Sequence, residues 1–269
     1  MMTIAYRNRL LTNVGSLALP EKDLFAEYFL RLNAQLNRYG LQVAVEDDMS
    51  GFDAVCRETG KFMPNAFNPA AVPFPRGHAV WMSVHDASSE RIATFAIRLF
   101  DLGQRTLGDW LSTLSFFYRT PAQDMASGER FVLSEEADAY ANAVRRRCTY
   151  IGGLWLAPAW RGRTVLAEVL TTAGCALALA RWDAAPMVSI AEDEVYAKNA
   201  AKYRFDEAHS GVRWLRPHKP ERSRMWLLGR TREAVVADVT RFVEAPDAQP
   251  LVAAAAEPAV VPVRLVQGG

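Results

Sequence analysis

The stretch from Thr149 to Ala191 restricts the fold more than any other part of the chain. Thr149-Tyr-Ile-Gly-Gly-Leu-Trp-Leu156 reads as a strand and is followed by a turn at Pro158–Gly162. A long helix then runs from 163 to about Trp182, with Leu166, Val169, Leu170, Ala173, Leu177 and Ala180 on its buried side. Met187-Val-Ser-Ile-Ala191 is a short, continuously apolar run, as expected of a strand covered on both faces. Strand, helix and buried strand in that order make the helix a crossover between parallel neighbours. Thr149–Leu156 is therefore predicted at the centre of a mixed sheet, beside Met187–Ala191.

The flanking sequence alternates in the same way. Pro20 opens a helix to about Arg38 with Leu24, Tyr28, Leu32 and Leu36 on one stripe, and Gly40 ends it. Leu41–Val45 reads as a strand, and Ser50 as the cap of a helix that runs to about Thr59. Four prolines between 64 and 77 predict an ordered loop or flap. Ala79–Val84 and Ile92–Phe100 form a hairpin around a polar connector that holds His85, expected in solvent. Residues 103–147 read as a mostly helical insertion, with candidate helices over Leu107–Tyr118 and Ser134–Arg147. After a helix over 194–204, Val212–Leu215 and Met225–Leu228 pair around a Pro-His-Lys-Pro loop. Thr231 caps a last amphipathic helix. The pattern predicts one α/β domain over 1–244, a mixed central sheet flanked by helices, and a disordered Ala/Pro/Val-rich tail over 245–269.

Charge and cysteine usage narrow the function. With 31 Lys+Arg against 30 Asp+Glu the net charge is +1, which gives no basic footprint for nucleic acid. Cys56, Cys148 and Cys175 are widely spaced and form no CxxC pair, so they read as reduced core thiols, with no zinc or other metal site. The N-terminus lacks the pattern of a signal peptide, and no apolar run approaches the ~18 residues of a membrane helix. The expected location is the cytoplasm, with no membrane partner. A homodimer is compatible with these numbers.

The chemistry is expected at Leu156-Ala-Pro-Ala-Trp-Arg-Gly-Arg-Thr-Val-Leu166. A strand that turns straight into a long helix leaves the amides of the first helical turn unpaired, with the positive end of the dipole beside them. Arg161 and Arg163 add formal charge there, so the turn fits a phosphate or pyrophosphate. The same residues also fit an ordinary solvent-facing turn with two arginines.

This stretch resembles the acyl-CoA-binding motif of the GNAT superfamily of N-acyltransferases, roughly V-x-P-x-Y-R-G-x-G-x-G. Leu156, Pro158, Trp160, Arg161 and Gly162 stand at matching positions, while Thr164 and Leu166 replace later glycines. The resemblance covers about residues 41–229 and implies a GNAT-like fold in which a bulged strand holds the pantetheine and the next loop holds the pyrophosphate. By that resemblance, Leu154, Trp155 and Leu156 meet the pantetheine, and Arg161, Gly162, Arg163, Thr164, Val165 and Leu166 the phosphates. Asp193–Phe205 is similar to the family's second motif, a helix ending in a Tyr-Gly-Phe-like corner, with Arg204 at the Gly. The insertion at 103–147 and the helices at both ends are additions to the family pattern.

The resemblance implies an enzyme that transfers an acetyl or longer acyl group from acetyl-CoA or another acyl-CoA to a small amine. Aminolysis of a thioester requires a neutral amine and a proton for the departing thiolate. The family's tyrosine donor falls at Ala200, and Tyr196 and Tyr203 share its helical face. Tyr203 is the expected donor, its alternative role being a packed core aromatic. Among Glu192, Asp193 and Glu194, just past the end of a strand, Glu192 is the expected base, although acids at a helix start also serve the dipole. His209 is a further candidate for the acceptor cleft, and Phe116–Tyr118 for an apolar acceptor or acyl pocket. Two other functions remain open on these residues. One is an acyltransferase fed by acyl carrier protein, of the acyl-homoserine lactone synthase type. The other is a non-catalytic GNAT-fold binding module.

Overall fold

Eight strands form a single mixed sheet in the order β1-β2-β3-β5-β6-β8-β7-β4 in a computed structural model that describes residues 21–162, 165–217 and 224–245. The expected start at Pro20, most of the Pro-His-Lys-Pro loop, Arg163, Thr164 and the tail beyond Ala245 lie outside the described residues. The strands are β1 Gln42–Glu46, β2 Ala79–His85, β3 Arg91–Thr106, β4 Arg130–Val132, β5 Arg145–Leu156, β6 Met187–Glu192, β7 Glu207–Leu215 and β8 Arg224–Arg230. All described neighbours are antiparallel except β5 and β6, which run parallel. Helix α6, Leu166–Trp182 in the chain order used below, connects that pair as the crossover the pattern required.

The remaining helices are α1 Lys22–Arg38, α2 Met49–Glu58, α3 Leu107–Ser112, α4 Pro121–Asp124, α5 Glu135–Ala143, α7 Asp193–Tyr203 and α8 Arg232–Glu244. Alternation along the strands sends side chains to two separate cores. Val80, Met82 and Val84 of β2 join α1, α6 and α8, whereas Ala79 and Trp81 join α2, α3 and α5. Helix α6 is apolar nearly all round because α1 and α8 cover the face turned away from the sheet. Gly174 lies within it where a Cβ would stand 2.2 Å from a ring carbon of Phe95, so the helix can approach β3 only at a glycine. Among the described residues no helix is long and apolar enough to cross a membrane. Cys56, Cys148 and Cys175 are all buried and unbridged.

Several expectations require correction. The cap of α2 is Asp48, whose carboxylate accepts from the Ser50 amide at 3.0 Å, because the extended backbone needed at a cap falls at 48. Residues 103–147 are only partly helical. Strand β3 continues to Thr106, which closes a capping box with Asp109 and starts a helix of six residues. The helix expected to reach Tyr118 ends at Ser112, and Leu114 follows at φ 59°. The helix expected to reach Arg147 ends at Ala143, since Arg145, Arg146 and Arg147 pair with Thr106, Gly103 and Asp101 of the extended β3. Within the same segment Arg130–Val132 forms an edge strand on β7.

Candidate active site

The site is built by a divergence of the two parallel strands. Their pairing is confined to Thr149↔Met187 and Tyr150↔Val188, after which β5 stays with β3 as far as Leu156 and β6 stays with β8 as far as Glu192. Beyond the paired segment a cleft of about 340 Å³ opens between β5 and β6. It lies toward the carboxyl ends of these strands, where α/β sheets commonly hold ligands.

A β-bulge turns β5 away from its parallel partner. Thr94 and Ala96 of β3 face Trp155 and Gly152, so two steps on β3 span three on β5. Gly153 takes the extra position at φ 64°, and its carbonyl accepts from Thr94 Oγ1 at 3.1 Å. A Cβ there would lie 2.6 Å from Phe52 Cζ, so ring packing and backbone conformation both require glycine.

Glu192, Leu154 and Tyr203 all line this cleft. Glu192 ends β6 and is exposed, without a side-chain cap bond to α7. Tyr203 ends α7, with its ring edge-on to Phe205 at 6.1 Å between centroids. Burial raises the Tyr203 phenol above its ordinary value, which keeps the proton on the oxygen at neutral pH. Tyr196 does not line the cleft; it stacks on Trp226 at 4.1 Å.

Trp155 and Leu156 continue β5 past the bulge, with Leu156 packed against the core. Arg161 folds back so that its Nε donates to the Leu156 carbonyl at 2.9 Å. Gly162 follows at φ 72°, and Val165 precedes α6 without a side-chain cap. Leu166 is buried in the core, leaving only its backbone at the helix start. By helix geometry the amides of Ala167 and Glu168 have no carbonyl within α6 to bond.

Both histidines differ from expectation. His85 is the last residue of β2 and is buried, with Nε2 3.1 Å from Ser83 Oγ and Nδ1 3.3 Å from the Ser89 carbonyl oxygen. Burial is the main cause of its lowered pKa. The register of β2 on β3, with a shift at Val84/His85, draws it into the sheet. His209 lies in β7, outside the residues that line the cleft, stacked on Tyr140 at 4.6 Å. Phe116 and Phe117 are core residues; Phe116 stacks on Phe100 at 4.0 Å.

Lys61 is a cleft residue that no sequence signal marked. It follows Gly60 at the end of α2, and its Nζ donates to the carbonyl of Leu154 on the bulge. No carboxylate pairs with it among the described residues. Burial is the main cause that lowers its pKa to about 8; Cys56 opposes it, and the nearby Arg161 guanidinium adds a smaller lowering effect.

Solved structures similar to this chain were found, whereas no family model and no curated protein matches it. NAA60 of Arabidopsis thaliana in complex with acetyl-CoA is 13% identical, with 71% of this chain and 99% of that chain covered at a TM-score of 0.41. The ribosomal-protein-S5-alanine acetyltransferase of Vibrio fischeri is 9% identical, covering 72% and 94% at 0.37. RimL, a ribosomal L7/L12 α-N-protein acetyltransferase in complex with coenzyme A, is 12% identical, covering 81% and 93% at 0.34. At such distance these likenesses carry no argument about chemistry, which rests on this chain's own residues. The chain itself folds as an α/β domain with a mixed central sheet, a bulged central strand and flanking helices, as its GNAT resemblance implied.

Proposed function

We propose that this chain is an N-acyltransferase that moves an acetyl or longer acyl group from acyl-CoA to a small amine. The observation that carries this is the cleft between β5 and β6, with the bulge at Gly153–Leu154 on one wall and Glu192 and Tyr203 at its lining. Acyl-CoA enters along Leu154, Trp155 and Leu156. Its pyrophosphate lies against the sequence Arg161, Gly162, Arg163, Thr164, Val165 and Leu166, where the start of α6 and the arginine charges favour an anion.

The amine nitrogen attacks the thioester carbonyl carbon. Glu192 takes the proton the amine must lose, directly or through water. As the C–S bond breaks, Tyr203 gives its phenolic proton to the departing thiolate, and the products are an amide and free CoA thiol. A phenol whose pKa is raised by burial remains protonated until that thiolate forms, which suits a donor.

Acetyl-CoA at a hundredfold excess over its Kd should stabilise the folded chain by about 2.7 kcal/mol, read as a thermal shift. Arg161→Glu should reduce that shift. In Tyr203→Phe the shift should persist while turnover falls ~10²–10⁴-fold, the usual worth of general-acid help. Tyr196→Phe, whose ring lies on Trp226 outside the cleft, is the control and should stay within a fewfold of the parent. Absence of any shift with acetyl-CoA or longer acyl-CoAs would exclude the donor. Parent-like turnover in Tyr203→Phe would remove the tyrosine from the mechanism.

A further inference from the structure

A second cavity of about 310 Å³ adjoins the cleft, and the ring of Phe62, 69% exposed, lines both. Its other walls include Asn65, Tyr118, Glu129, Trp214 and Arg216. Tyr118 and Glu129 come from the insertion, whereas Trp214 and Arg216 come from the end of β7 and the residue after it.

The polar groups here are arranged with the carboxylate inward. The Glu129 side chain is only 4% exposed. It accepts from the Tyr118 hydroxyl at 3.0 and 3.1 Å, from Trp214 Nε1 at 2.6 Å and from the Ala126 amide at 3.3 Å. Arg216 Nε lies 3.7 Å from the same carboxylate, and the guanidinium lies over the Trp214 ring at 3.8 Å from its centroid. Trp214 is itself backed by Phe117 at 4.4 Å. Glu129 thus uses its lone pairs within the wall and steadies the rings of Tyr118 and Trp214. Arg216 is held on one face and one edge, and no acceptor among the described residues bonds its Nη atoms. A guanidinium fork with donors that no described residue uses, in the wall of an aromatic-lined cavity, matches a carboxylate.

We propose that the second cavity binds the carboxylate end of the amine acceptor, with Arg216 as the residue that reads it and Phe62 against the spacer between the two ends. This rests on acyl transfer in the adjoining cleft. The amine must lie in that cleft and the acid beyond Phe62, so the two groups cannot share one carbon. The acceptor class is an amino acid whose amine and carboxylate are separated by an apolar spacer. Arg216 and Glu129 together carry no net charge, so a bare anion gains little there; affinity also needs the apolar body on the rings.

The test uses two product-like probes that need no turnover, 6-acetamidohexanoate and its neutral analogue 6-acetamidohexanamide. Their binding to the full chain is measured by titration calorimetry, with acetyl-CoA titrated separately. The acid should bind about 10- to 100-fold more tightly than the amide, the range for a hydrogen-bonded charged pair. In Arg216→Met that preference should vanish, and in Arg216→Lys, which keeps charge without the fork, most of it should go. Inorganic phosphate should not compete. Equal binding of acid and amide by the parent, binding of neither, or an undiminished preference in both variants would overturn the proposal. Acetyl-CoA binding without an acid preference sinks this site and leaves acyl transfer standing. An acid preference without acetyl-CoA binding does the reverse.

Discussion

Lys61 places an amine inside the cleft with a backbone carbonyl as its hydrogen-bond partner among the described residues, and burial disfavours its charged form there. The sign of the consequence follows from the two pKa values, about 8 in the folded chain against an ordinary 10.5. Below pH 8 both states are protonated and folding bears the full cost of the buried charge. Between pH 8 and 10.5 the unfolded chain binds more protons, so the stability contributed by this site rises with pH. Lys61→Met should therefore be more stable than the parent at pH 7, on the order of 1–2 kcal/mol once screening in an open cleft is allowed for. That advantage should shrink by pH 10.5. Urea denaturation of both proteins at the two pH values checks it, and an unchanged difference would mean that packing, not charge, governs the site. Nothing in the sequence marked this residue, because it meets Leu154 across 93 positions of chain. Glu192 was legible as a candidate because it stands at a strand end, and Tyr203 because it shares a helical face with Ala200, the donor position that the resemblance implies.

The element that shapes the site is the bulge on β5. Two adjacent glycines, Gly152 and Gly153, in the apolar second half of the strand are a local sign of irregular pairing. Which glycine takes the extra position depends on β3 and on Phe52, and neither is adjacent in sequence. Gly153→Ala should destabilise the fold by about 1–3 kcal/mol, combining the left-handed backbone with an overpacked contact. Gly162→Ala, also left-handed at φ 72° but with nothing within 4 Å of the added carbon, should cost only the backbone part, about 1 kcal/mol. Chemical denaturation compares them, and equal losses would show that Phe52 yields freely. The insertion was less legible. Its short helices follow from Thr106 and Ser134 as caps, yet β4 is a three-residue strand that exists only because β7 offers it an edge.

At the scale of the whole molecule, one carboxylate joins α8 to β8 and to the corner after α7. Asp238 of α8 pairs with the fully buried Arg230 of β8, with Arg204 at 3.0 Å and with Arg241 at 2.6 Å. Arg204 also reaches Glu168 of α6 at 3.0 Å. It holds the left-handed position after α7 at φ 52°, where the resembled motif has glycine. The ion pairs offset the strain of a side chain there and fix the corner that carries Tyr203 and Phe205 into the cleft. Asp238→Ala leaves Arg230 buried without its carboxylate and should cost about 3–5 kcal/mol. A loss below about 1 kcal/mol in guanidinium titration would show that water or Cys175 takes over the role.

Outside the insertion, the order of strands and helices and the parallel β5–β6 pair with its crossover were determined by residues near one another in sequence. Hydrophobic periodicity, capping and handed connections act over a few turns of chain, so they can be read without a fold. The widening of the cleft, the amine of Lys61 against the bulge, the burial of His85 and the second cavity behind Phe62 were decided only by the tertiary structure. Each depends on side chains brought together from separate elements, where burial and close packing govern charge and access, and local pattern carries no record of such meetings.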